Sequence, residues 1–73
     1  MTTNPTGAAV LVVDDEPDLR TLYEITLQRC GYAVESAADL EQARALLRRK
    51  QFAVLVTDMR LPDGQGLELV EWL

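Results

Sequence analysis

The sequence holds a single cysteine, Cys30, and no histidine. No disulfide can therefore form within the chain, and the residues that usually bind zinc are almost absent. A lone thiol is typical of proteins that reside in a reducing compartment. We therefore predict a cytoplasmic protein that has neither a disulfide framework nor a structural zinc ion.

Long apolar runs are also missing, since none approaches the ~20 residues that a membrane-spanning helix needs. Residues 1–7 (MTTNPTG) lack a basic region followed by an apolar one, so we predict a flexible leader and no signal peptide. The net charge is -5, from 12 acidic and 7 basic residues. Because nucleic-acid-binding domains usually present a basic face, we expect this chain not to contact nucleic acid directly. Because it lacks a long apolar run, we expect no membrane contact either.

The composition that is present is that of a globular domain, with 48% hydrophobic and 26% charged residues. A chain of 73 residues can form at most one domain. Two apolar runs without alternation, at residues 8–13 and 52–57, predict strands that are covered on both faces of a parallel sheet. Residues 32–37 are more polar and predict a less central strand.

Helical periodicity follows the first and second predicted strands. Pro17 suits the first turn of a helix, which we expect to end near Gly31. Asp39 predicts the start of a second helix, with Gln42 three residues later as its capping-box partner. The side chains that the pattern of the first helix places in the core are Leu19, Leu22, Tyr23 and Cys30.

A third helix is predicted after a loop at residues 59–66, with Leu67, Val70 and Leu73 on its apolar face. The order β-α-β-α-β-α predicts an α/β fold, in which a parallel sheet carries helices on both faces. No glycine, proline or basic residue marks the end of the last helix. We therefore expect residues 8–73 to form the N-terminal portion of a longer domain.

Carboxylates directly follow two of the predicted strands. Asp14 and Asp15 come after the first strand, and Asp58 comes after the third. Because ligands of parallel sheets bind beyond the carboxyl ends of the strands, all three converge if these strands are neighbours. A hard divalent cation such as Mg²⁺ would compensate their mutual repulsion. A structural role stays open for the first pair, since Asp15 or Glu16 could cap the following helix.

The segments VLVVDDEPDLR and LVTDMRLPDGQGLELVEWL resemble the receiver domain of two-component response regulators. The resemblance implies a flavodoxin-like (CheY-like) receiver fold, here its N-terminal (βα)3 part with strand order 2-1-3. It implies that Asp58 is the phosphoacceptor. It also implies a Mg²⁺ site formed by Asp14, Asp15, Asp58 and the backbone carbonyl of Arg60. The segment DMRLPDG is further similar to nitrogen-regulator-type activators, which work with the alternative sigma factor 54.

The implied function is signalling and not enzymatic turnover. A sensor histidine kinase would phosphorylate Asp58, and the phosphorylated domain would then switch an output domain, such as an ATPase with a DNA-binding domain. In the family, a Ser or Thr after the fourth strand and a Lys after the fifth contact the phosphoryl group, and this sequence contains neither strand. Lys50 is no substitute for that lysine, because it precedes the third strand at the opposite end of the sheet.

Two other functions are compatible with an aspartate at the end of a parallel strand or with the fold alone. An aspartyl-phosphate hydrolase of the haloacid-dehalogenase type needs a second aspartate two residues after the nucleophile. This chain has Arg60 at that position, which argues against such a hydrolase. An interaction module without phosphotransfer would use the same fold to bind partners. Without a fourth strand the third strand is an edge strand, so we expect homodimerisation through residues 53–57.

Overall fold

The computed structural model describes residues 8–72, and the side chains of residues 8–70. The predicted leader at residues 1–7 and the predicted apolar position Leu73 lie outside this part. Within residues 8–72 no helix combines the length and the apolarity needed to cross a bilayer. The elements are β1 (Ala9–Val13), α1 (Pro17–Arg29), β2 (Ala33–Ala37), α2 (Leu40–Arg49), β3 (Val54–Thr57), β4 (Arg60–Leu61), β5 (Gly64–Gln65) and a 3₁₀ helix (Gly66–Trp72).

The three longer strands form a parallel sheet in the order β2-β1-β3, as predicted. Val10 of β1 lies opposite Val34 of β2 and Val54 of β3. Every residue of β1 is buried, because this strand lies between β2 and β3 and both α1 and α2 pack against it. The continuous apolar run at residues 8–13 therefore identified the central strand of the sheet.

Helices α1 and α2 both contact β1 and β2, and the core lies on the α2 side of the sheet. Because side chains alternate along a strand, Leu11 and Val13 face α2, whereas Val10 and Val12 face the other way. The buried residues that form the main cluster are Leu11, Val13, Ala37, Leu40, Ala43, Leu61 and Leu69. Helices on both faces of the sheet were predicted, and the structure confirms them.

Local sequence signals predicted the helix boundaries well. Pro17 occupies the first turn of α1, and Gly31 follows the helix with a φ of 95°, a conformation that favours glycine. The carboxylate of Asp39 accepts a hydrogen bond from the Gln42 N–H at 2.8 Å, as predicted for the N-cap of α2. The Gln42 side chain reaches back to the N–H of Ala38 at 3.0 Å, one residue before the position that the capping-box pattern predicts.

The prediction that the apolar side chains of α1 lie in the core is wrong. Leu22 is 57% exposed and Leu19 is 44% exposed, while Tyr23 and Cys30 are also exposed. The helix packs against β1 and β2, but none of the described elements covers its opposite side. Apolar periodicity thus identified the helix correctly but not the depth at which its side chains lie.

The segment after β3 also differs from the prediction of a loop followed by an α-helix. Residues 58–66 contain an antiparallel hairpin of β4 and β5, and the last element is a 3₁₀ helix. Leu69 is fully buried in this helix, whereas Leu67 and Val70 are 59% and 54% exposed. In a 3₁₀ helix, residues three apart lie on one side, so Leu67 and Val70 face outward together once Leu69 faces the core.

Candidate functional site

The ends of β1 and β3 place three carboxylates at the same edge of the sheet. The Asp58 N–H donates to the Val13 carbonyl at 3.0 Å, and the Asp14 N–H donates to the Ala37 carbonyl at 3.1 Å. Hydrogen bonding between the parallel strands therefore continues one residue beyond β1 and β3, and it fixes the backbone of both aspartates. Asp15 follows directly in the chain, so the predicted convergence of the acids is observed.

The three acids could hold a metal ion. One carboxylate oxygen each from Asp14, Asp15 and Asp58 can be chosen so that all lie within 4.8 Å of one another. Oxygen ligands on opposite sides of one Mg²⁺ lie about 4.2 Å apart, twice its usual bond length of about 2.1 Å. A spread of up to 4.8 Å is close to this distance, so the three carboxylates are a donor set that would suit a hard divalent cation.

Burial differs among the three acids, because Asp14 is 6% exposed whereas Asp15 and Asp58 are open to solvent. The Asp14 Oδ1 atom accepts a hydrogen bond from the Glu16 N–H at 2.9 Å. Helix capping does not explain the acids after β1. The N-cap of α1 is Glu16, its side chain makes no capping hydrogen bond, and Pro17 at the next position has no N–H.

Arg20 lies beside the acids and was not predicted as a site residue. Its Nη1 atom donates to the backbone carbonyl of Asp14 at 2.8 Å, and its own N–H donates to the Glu16 carbonyl at 3.0 Å. This contact ties the first turns of α1 to the segment that carries two of the acids. Arg20 lies off the apolar stripe of the helix, so periodicity alone gave no signal for it.

Arg60, predicted to offer its backbone carbonyl to the metal, begins β4 two residues after Asp58. Its backbone pairs with Gln65 across the hairpin. A methyl group added at Gly66 would overlap the backbone oxygen of Asp58 and the hydroxyl of Thr57. Gly66 therefore lets the chain return close to the end of β3.

Asp63, in the turn of this hairpin, makes a long-range contact that was not predicted. Its carboxylate accepts hydrogen bonds from the N–H groups of Leu40 at 2.9 Å and Glu41 at 3.1 Å. These bonds, above all the one from Leu40, hold the pKa of Asp63 below its ordinary value of 3.8. An aspartate between Pro62 and Gly64 is typical of a turn, so the sequence gives no local signal for this partnership.

Comparison with known proteins shows which family the sequence matches. The family model of the response regulator receiver domain matches residues 10–73. The chain is 54% identical over 63 residues to the response regulator protein PilR of Pseudomonas aeruginosa. That match covers 86% of this chain but 14% of PilR, so the chain spans a small part of that relative.

Solved structures give the same picture at the level of the fold. The chemotaxis response regulator CheY4 of Vibrio cholerae matches with a TM-score of 0.84 and 41% identity, over 90% of this chain and 55% of that chain. A response regulator protein from Burkholderia pseudomallei, with a phosphorylated aspartic acid, a calcium ion and citrate, matches with a TM-score of 0.80 and 30% identity. That second match covers 86% of this chain and 37% of that chain.

Proposed function

Since the chain belongs to the response regulator receiver family, we propose that it is a phosphoacceptor module in which Asp58 takes a phosphoryl group from a sensor histidine kinase. The observation that supports this role best is the convergence of Asp14, Asp15 and Asp58 at neighbouring strand ends. The Burkholderia pseudomallei relative holds a phosphorylated aspartic acid and a calcium ion on a similar fold, which supports both the phosphoacceptor and the divalent cation.

In the proposed reaction, a carboxylate oxygen of Asp58 attacks the phosphorus atom of the donor. A bond forms between this oxygen and phosphorus while the bond from phosphorus to the donor nitrogen breaks, which yields an acyl phosphate. Asp58 is exposed, so a donor can reach it from solvent. Asp14, Asp15 and the backbone carbonyl of Arg60 would hold Mg²⁺ together with Asp58. Bound Mg²⁺ supplies charge neutralisation at the phosphoryl oxygens.

The proposed role is a switch and not catalytic turnover, because the phosphoryl group stays on the chain. Phosphorylation adds roughly -1.5 to -2 charge at the end of β3. An output domain would read this change in the cytoplasm. The 54% identity to PilR and the segment DMRLPDG support an output in sigma-54-dependent transcription, through an ATPase and a DNA-binding domain.

Self-association is a second candidate role, and one observation favours it. β3 is an edge strand of the described sheet, and Val54 on it is 46% exposed. An apolar edge offers unpaired backbone groups to a strand from a second copy. Sedimentation should therefore detect dimers that Val54→Lys weakens, while the exposed Gln51→Lys serves as a control outside β3. Monomers at high concentration in both proteins would exclude this role.

The phosphoacceptor role is tested by intact mass after incubation with Mg²⁺ and acetyl phosphate. We expect a phosphoryl adduct that requires Mg²⁺ and is absent from Asp58→Ala. Asp18→Ala removes an exposed carboxylate of α1 and should leave the adduct unchanged. A folded protein that binds Mg²⁺ but gains no adduct would exclude phosphotransfer to residues 1–73 by themselves and would favour the interaction module.

A further inference from the structure

The hairpin that follows Asp58 is held at both of its ends. At its base, the Gly66 N–H donates to the Met59 carbonyl at 3.1 Å, next to the end of β3. At its tip, the carboxylate of Asp63 bridges the N–H groups of Leu40 and Glu41 in α2. Strands of two residues are marginal by themselves, so contacts outside the hairpin must determine where it lies.

The first turn of α2 is capped from two different places in the chain. Asp39 accepts from the N–H of Gln42, and Asp63 accepts from the N–H groups of Leu40 and Glu41. Three of the free N–H groups that begin every helix are thereby satisfied. The caps differ in one respect: Asp39 is local to α2, whereas Asp63 joins the helix to the hairpin.

Other contacts strengthen the junction between the hairpin and α2. The carboxylate of Glu68 accepts from Arg44 of α2 at 3.1 Å and from the Gln65 N–H at 3.1 Å. Gly64 has a φ of 152°, and a side chain there would collide with Leu40, which is fully buried. The hairpin therefore lies directly against the start of α2.

We propose that Asp63 is a positioning residue for the acid cluster, because its bridge to Leu40 and Glu41 holds the hairpin that begins beside Asp58 and carries the Arg60 carbonyl. This inference rests on the proposed function, since it concerns the Mg²⁺ site of the phosphoacceptor. Asp63 is not one of the converging acids, so it would act through the backbone of the hairpin. Freeing the tip of the hairpin releases the Arg60 carbonyl and lowers the affinity of the site for Mg²⁺.

Titration calorimetry with Mg²⁺ alone tests this role in three variants. Asp63→Ala removes the bridge, Asp63→Asn keeps one acceptor oxygen, and Asp39→Ala removes the local cap of the same helix. The unfolding midpoint of each variant is measured alongside. The loss of stability can then be compared between Asp63→Ala and Asp39→Ala. Only the substitutions at Asp63 should lower the affinity for Mg²⁺.

We expect the dissociation constant for Mg²⁺ to rise about 10-fold in Asp63→Ala, the size typical of residues that support metal ligands. Asp63→Asn should fall between this variant and the unmodified protein, and Asp39→Ala should bind Mg²⁺ as the unmodified protein does. Equal losses of affinity in Asp63→Ala and Asp39→Ala, or no loss in Asp63→Ala, would overturn this inference alone. An unmodified protein that binds no Mg²⁺ would overturn the proposed function and this inference with it.

Discussion

The backbone N–H of Asp58 donates to the carbonyl of Val13 at 3.0 Å, which joins the end of β3 to the end of β1. The next residue after Val13 is Asp14, so this single bond brings the proposed phosphoacceptor beside the acidic pair. The spacing of the carboxylates therefore depends on strand pairing and not on flexible loops. Such a rigid arrangement keeps like charges together, and it predicts how the stability of the protein responds to metal and to charge removal.

Mg²⁺ should stabilise the protein, and Asp15→Asn should reduce this stabilisation. At 100 times its dissociation constant, Mg²⁺ is expected to raise the free energy of unfolding by about 2.7 kcal/mol. With a chelator present, Asp15→Asn should be more stable than the unmodified protein, because one of three converging charges is gone. Addition of Mg²⁺ should raise the free energy of unfolding of Asp15→Asn by less than that of the unmodified protein. Asp18→Asn is the control, and urea unfolding with and without Mg²⁺ is the measurement. A similar gain from Mg²⁺ in Asp15→Asn would contradict a metal site at this residue.

Leu69 and Leu67 should respond differently to the same substitution. Leu69→Ala removes a fully buried side chain and is expected to lower the free energy of unfolding by about 2–5 kcal/mol. Leu67→Ala alters a side chain that is 59% exposed, and its effect should stay within about 0.5 kcal/mol. Chemical denaturation of both variants decides the question. Comparable losses at the two positions would mean that the last helix presents a different face to the core.

Gly66→Ala should disturb both the stability and the site. The added methyl group would overlap the backbone oxygen of Asp58, so the hairpin must move away from the end of β3. Crowding of this kind costs about 1–3 kcal/mol of unfolding free energy, and Mg²⁺ affinity should fall with it. Gln65→Ala, at an exposed neighbouring position, is the control for both measurements. A Gly66→Ala variant as stable as the unmodified protein would show that the hairpin can move away from the end of β3 without loss of stability.

Acid should remove the stabilising effect of Asp63. Folding lowers its pKa below 3.8, chiefly through the hydrogen bond from Leu40, so the folded state favours the ionised carboxylate. Its contribution is therefore fully present above pH 3.8 and is lost as the pH falls through the lowered pKa. Arg44 acts in the same direction, as a positive charge nearby.

The measurement for Asp63 compares the unmodified protein with Asp63→Asn in urea unfolding across a pH series. The difference in unfolding free energy should be constant from neutral pH down to about 3.8, and it should shrink below that value. The neutral asparagine removes the titration but preserves the shape of the side chain. A difference that stays constant into strong acid would mean that the bridge to α2 does not depend on ionisation.

Much of the candidate site was predictable, because short sequence patterns indicate the strands and the acids that follow them. A continuous apolar run that ends on Asp14 and Asp15, and another that ends on Asp58, indicate parallel strands with acids at one edge. The order β2-β1-β3 then brings those strand ends together. Arg20 escaped prediction because its contact with the Asp14 carbonyl depends on how α1 lies over the strand end.

The sequence by itself determined the elements from β1 to β3 and the ends of the two α-helices, since periodicity, Pro17 and the Asp39 cap act within a few residues of the chain. It also determined the chemistry available at the strand ends. Only the tertiary structure decided that Leu69 lies in the core in place of Leu67, and that Asp63 binds the start of α2. Those outcomes depend on how the hairpin folds back onto a helix 23 residues earlier, and no local pattern encodes a contact at that distance.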